Sequence, residues 1–198
     1  MYCDFHTHDA ACAMDTLKLV SVAELSGERP PGVFYALELH PWRLPGSFAG
    51  LPGAFLRAAP HADALGEVGL DRLRGPSLEV QRKFLRAVLR LAADLGKPVV
   101  FHCVRAYPEL LAECRPFPSV PKLLHGFPGG ETRRKMLTDA GFLLSSSREL
   151  PPGGGLETDD SGRDIREVYR ACAADPDDPE FETRFRAFLS PRPPAQTR

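Results

Sequence analysis

A chain of 198 residues is long enough to bury a substantial core and short for two full domains. Lys and Arg number 25 against 26 Asp and Glu, a formal net charge of -1. That balance excludes a protein that holds nucleic acid through a broad basic face, a mode that needs many phosphate contacts. No stretch reaches the ~18 apolar residues of a membrane span, and no basic start with an apolar run opens the chain, so a soluble, cytoplasmic protein without a membrane partner is expected. The five cysteines, Cys3, Cys12, Cys103, Cys114 and Cys172, are odd in number without a CxxC spacing. They read as reduced thiols, with Cys3 and Cys103 buried in strands.

The first residues, Tyr2-Cys3-Asp4-Phe5-His6-Thr7-His8, suit an extended strand. Side chains two apart then share a face, so His6 and His8 can reach one metal ion. Residues 9–15 are small and polar, and 16–25 carry enough β-branched character for a short second strand. A Pro-Pro-Gly turn at 30–32 precedes a strand over 33–39 that delivers His40, Pro41 and Trp42 to its end. These early connections are too short for crossover helices. A brief helix over 51–59 leads to a strand ending at Glu67.

The clearest helix spans 77–95, entered through Pro76 and Ser77 and closed by Gly96. Phe84, Val88, Leu91, Ala92 and Leu95 follow the 3.6-residue period, leaving Arg82, Lys83, Arg86 and Arg90 towards water. A strand from Pro98 ends at His102, a helix covers 108–114, and a strand from Lys122 ends at His125. Another helix over 131–140 stops at Gly141, a strand covers 142–145, and 150–155 is a Pro and Gly loop. The run 155–159 ends in Asp159. Ser161 can cap a helix carrying Ile165, Val168, Tyr169 and Cys172; Phe181, Phe185, Phe188 and Leu189 mark a last amphipathic helix. One domain over 1–189 is expected, with 190–198 a disordered tail.

Alternation of strands and helices implies a parallel sheet, and in such folds sites assemble at the carboxyl ends of strands. Glu67, His102, His125 and Asp159 all stand where that rule puts a site. Mixed His and carboxylate ligands suit Zn, Mn or Fe better than an all-oxygen site would, with Mg also allowed. A carboxylate beside an attacking water can take its proton, which makes Asp159 the candidate general base, with Asp160 beside it a loop or cap residue. His40 is a candidate contact to a substrate phosphate. Trp42 fits either of two roles, stacking a base or capping the core.

The stretches Asp4-Phe5-His6-Thr7-His8, Leu39-His40-Pro41, Gly66-Glu67-Val68-Gly69-Leu70-Asp71, 98–102, His125-Gly126-Phe127-Pro128-Gly129 and Leu156-Glu157-Thr158-Asp159 resemble the TatD family of metal-dependent hydrolases. The resemblance implies a TIM-like α/β barrel, trimmed here, with several outer helices shortened or missing. It implies two divalent metal ions, one on His6, His8 and Asp159, the other on His102 and His125, with Glu67 bridging them in a catalytic role. It also implies DNase-type activity at single-strand ends, with His40 and Arg105 touching substrate. Trp42 follows His40-Pro41 where members often carry His, and Arg105 stands one residue further from His102 than in the common pattern. The expected function is a binuclear phosphodiesterase acting on single-stranded DNA ends. The alternatives are a hydrolase of small amides, esters or phosphoesters on the same site, and a metal-binding protein without turnover. Short loops after the first strands predict an open mouth that accepts a single-strand end and does not grip duplex.

Overall fold

A computed structural model describes residues 1–11, 13–25 and 27–190, so Cys12 and the expected tail beyond Ser190 lie outside the described residues. Eight parallel strands close into a barrel in sequence order. They are β1 (Tyr2–Thr7), β2 (Thr16–Val22), β3 (Val33–Leu37), β4 (Ala64–Asp71), β5 (Val99–Val104), β6 (Lys122–Leu124), β7 (Phe142–Ser146) and β8 (Gly155–Leu156). The helices are α1 (Gly53–Ala58), α2 (Leu78–Leu95), α3 (Tyr107–Cys114), α4 (Glu131–Asp139), α5 (Ile165–Ala171) and α6 (Pro179–Leu189). Among the described residues no helix separates β1 from β2, β2 from β3, or β7 from β8, so the barrel is trimmed as its short connections predict. None of the described helices is long and apolar enough to cross a membrane.

Two apolar clusters hold the barrel. Leu85, Val88, Leu89 and Ala92 of α2 pack on Leu65, Val68, Leu70 and Phe101 of β4 and β5. Each of the Leu, Val and Phe side chains contributes roughly 1.5–3 kcal/mol on full burial. The α2 helix forms where its sequence says it should. The Ser77 hydroxyl accepts from the Val80 N–H, and Gly96 closes the last turn at φ 63, a left-handed conformation that glycine adopts freely. Arg82 and Arg86, expected to be merely solvated, both donate to Glu113 of α3 at 2.8 Å, tying the two helices together.

The second cluster joins β1 and β8 to α5 and α6 through Phe5, Leu156, Tyr169, Phe181 and Phe185. Odd residues of β1 face these helices: Phe5 meets Phe185 edge to face at 5.3 Å, and the Cys3 N–H donates to the Tyr169 hydroxyl at 3.2 Å. Even residues, Asp4 and His6, face the other way. Gly155 is required for closure, because a Cβ there would lie 2.3 Å from the Phe5 ring.

Two expectations change at this seam. The run 155–159 is not a continuous strand: only Gly155 and Leu156 pair regularly, and Asp159 arrives at φ 53 through an isolated bridge to Thr7. Ser161 does not cap α5. Asp164, immediately before the helix, accepts from the Arg166 N–H at 2.7 Å, whereas Ser161 donates back to the Thr158 carbonyl.

Candidate metal centre

The site sits at the carboxyl end of the barrel and is organised around Glu67, only 2% exposed. β4 brings it there because the Glu67 N–H donates to the buried Ser21 hydroxyl at 2.9 Å. β4 also lies unusually close to β5, where a Cβ on Gly69 would meet the His102 carbonyl at 1.9 Å. The two oxygens of Glu67 face different histidines. Oε2 lies 3.3 Å from His6 and 3.6 Å from His8. Oε1 lies 3.1 Å from His125, 3.2 Å from His40 and 3.7 Å from His102. Asp159 Oδ1 completes the first side, 3.5 Å from His6 and 3.8 Å from His8. Its backbone is fixed by the Asp159 N–H donating to the His6 carbonyl at 3.0 Å.

These residues fit a metal ion. Ligand atoms of His6, His8, Glu67 and Asp159 all fall within 4.8 Å of one another, as do those of His40, Glu67 and His102. Both ring nitrogens of His6 are buried without an aligned hydrogen bond, and so is Nδ1 of His125. Buried imidazole nitrogens are normally satisfied, and His6 Nε2, which faces the Glu67 and Asp159 carboxylates, has the surroundings of a metal ligand.

The electrostatics agree. Burial alone would push His6 down, but the Asp159 and Glu67 carboxylates override it and hold its pKa well above the usual histidine range. Burial would likewise raise Glu67 and Asp159. Instead His125, His40 and His6 hold Glu67 far below the carboxylate range, and His6 and His125 depress Asp159. His102 is lowered, first by burial and then by the charge of His125. The cluster thus keeps its carboxylates ionised and draws positive charge.

Beyond the expected ligands, the structure adds Asp71. Its Oδ2 lies 3.1 Å from His102 Nε2 and accepts from the Trp42 indole N–H at 2.6 Å, while Oδ1 accepts from the Leu73 and Arg74 N–H groups. With Nε2 committed to Asp71, His102 turns Nδ1 to the centre, 3.3 Å from His125 Nε2. Asp71 ends the Gly66 to Asp71 stretch, and its position at the very end of β4 was the available signal. Arg43 and Asp160 also line the mouth, a cavity of about 280 Å³. Arg105 is not among the residues that line this cavity; it is exposed, at φ 54, directly after the end of β5. Trp42 is 44% exposed, so it is not a core cap.

A closed parallel barrel with His and carboxylate ligands gathered at its carboxyl mouth defines the class of metal-dependent barrel proteins. Within that class the chain belongs to the TatD related DNase family, whose profile matches residues 7–167. Among curated relatives, the 3'-5' ssDNA/RNA exonuclease TatD of Klebsiella pneumoniae is 31% identical over 61% of this chain and 44% of its own length. That of Erwinia billingiae is 28% identical over 92% of this chain and 70% of its own. The chain thus spans less than half of several relatives it matches. In fold it is similar to YJJV, a TatD homologue from Escherichia coli K12, with a TM-score of 0.66, 18% identity and 95% of each chain covered.

Proposed function

We propose that this chain is a binuclear metal-dependent phosphodiesterase that removes nucleotides from single-stranded nucleic-acid ends in the cytoplasm. The observation that carries the reading is Glu67, whose two oxygens face two separate sets of ligands. His6, His8, Asp159 and Glu67 would hold one ion, and Glu67, His102 through Nδ1 and His125 through Nε2 the other. Two divalent ions on such ligands would supply Lewis acidity to the phosphate oxygens and acidify an attacking water.

The remaining work falls to the chain. Asp159 is ionised at neutral pH and half-exposed, with 34% of its side chain open, so it can accept the proton of the attacking water as general base. Asp71 keeps a hydrogen on His102 Nε2 and leaves Nδ1 free as a ligand. His40 is better suited to substrate than to metal. Its Nδ1 accepts from the Trp42 N–H at 3.2 Å, so Nε2 carries the hydrogen and acts as a donor, a partner for a phosphate oxygen. Arg43, with 64% of its side chain exposed, is a second phosphate contact and takes the place expected of Arg105. An open mouth and a net charge of -1 give no long-range hold on duplex, which favours a strand end.

Metal analysis of protein purified without chelator tests this: about two ions per chain are expected, falling in both His6→Ala and His102→Ala. Activity should then appear on bis(4-nitrophenyl) phosphate and on single-stranded DNA. Unchanged metal in both variants refutes the ligand set, and turnover of small amides or esters alone would point to another hydrolase on the same site.

A further inference from the structure

A second cavity, of about 450 Å³, opens beside the metal mouth on the same face of the barrel, and the two share His40 and Arg43. Its walls are largely apolar, with Leu25, Leu39, Pro52 and Phe55 among them. Set in these walls is Glu38, only 7% exposed. Oε1 of Glu38 is taken by Arg43 at 2.7 Å. Oε2 is enclosed and has no hydrogen-bond partner among the described residues. A carboxylate oxygen kept from water without a donor is destabilising, so such groups mark places where a donor arrives from outside the chain.

We infer that this cavity receives a base of the substrate strand and selects those with an exocyclic amino group, cytosine, adenine and guanine, over thymine and uracil. The inference rests on the reading of the mouth as a site for single-stranded nucleic acid. The volume lies within the roughly 300–1,000 Å³ of small-molecule pockets, which combine apolar walls with a few placed polar groups. Leu25, Leu39, Pro52 and Phe55 suit the faces of a planar ring. An amino edge donates to a carboxylate, as the cytosine amino group does to Glu or Asp. The last torsion of glutamate is broad, so a small turn brings Oε2 to the ring edge while Arg43 stays in reach. Thymine and uracil present a carbonyl oxygen at the corresponding position, which sets oxygen against oxygen and leaves only N3–H, flanked by two carbonyls, as a donor. Arg43 lines both cavities, so a base held here leaves the adjoining phosphate beside the mouth.

The test is equilibrium binding of short oligo-dC and oligo-dT, with chelator present to prevent turnover. Wild type should prefer oligo-dC by on the order of tenfold, the effect of one hydrogen bond to a charged group. Glu38→Gln should reverse the order, because its amide oxygen can serve Arg43 while its NH2 turns to the cavity and donates to thymine. Ala54→Trp, at an exposed position on the cavity wall, should fill the space and abolish the preference without touching Glu38. An unchanged dC-to-dT ratio in either folded variant overturns the inference, as does no binding of either oligonucleotide by wild type. Base preference without hydrolysis on metal loading would instead sink the nuclease reading and leave this one standing.

Discussion

The barrel delivers its candidate ligands in two different ways, and the contrast lies between the β4–α2–β5 sector and the seam where β7, β8 and β1 meet. In the first sector an 18-residue helix lies on an eight-residue strand, and β4 pairs with β5 from Val68 to Asp71, with Gly69 opposite His102, after a register shift between Leu65 and Val68 that contains Glu67. At the seam β8 is two residues long and no helix intervenes among the described residues. Side-chain hydrogen bonds do the ladder's work there. The Thr158 N–H and hydroxyl donate to the buried Asp4 carboxylate at 3.0 and 2.7 Å. Glu157, wholly buried, takes the Ser145 hydroxyl and the Gly126 N–H. A trimmed barrel can keep a ligand in place without a strand if polar groups beneath it are paired.

Five substitutions, one of them a control, break or sharpen this contrast. The largest effect is expected at the seam's product, Asp159→Asn, where loss of the base should cut turnover by about 10² or more in steady-state kinetics. Asp160→Asn beside it should stay near wild type. Next, Asp71→Asn in the regular sector should weaken metal binding by roughly 10- to 100-fold in a competitive titration, since it frees the His102 tautomer while the ladder stays intact. Thr158→Val should lower unfolding free energy by about 1–3 kcal/mol by removing the hydroxyl donor from a buried carboxylate, and should impair metal binding on the His6 side first. The smallest change is expected at Glu113→Gln, about 1–2 kcal/mol at neutral pH in denaturant unfolding. Burial would raise the Glu113 pKa, yet Arg86 and Arg82 hold it below the usual range. Its contribution is therefore present at neutral pH and lost as pH falls through that depressed value, so wild type and variant should converge in acid.

The same contrast explains what could be read in advance. α2 announces itself through Ser77, Gly96 and its apolar period; the strands expected to end at Glu67 and His102 instead run on, β4 to Asp71 and β5 to Val104, although both residues still reach the carboxyl mouth. The two-residue spacing of His6 and His8 showed that they share a face, and only the recurrence of potential ligands after later strands marked the pair as part of a site. The seam was not legible, because neither the left-handed backbone of Asp159 nor the pairing of Thr158 with Asp4 has a periodic signature. Asp71 was hidden differently: a carboxylate at a strand end gives no sign of whether it meets an ion or the far side of a histidine. Arg105 stands outside the residues that line the mouth, and Arg43 came into it through a 3-10 turn, Pro41–Arg43, that spacing does not foretell.

The central claim, that the strand-end cluster runs metal-dependent hydrolysis at a free strand end, is tested most directly with a single-stranded oligonucleotide labelled at its 3' terminus. Followed over time with metal-loaded protein, the label should leave as a mononucleotide, stop on addition of EDTA, resume when metal is restored, and fail to appear with Asp159→Asn. Release that is indifferent to EDTA, or an intact strand alongside two bound ions per chain, would contradict the account.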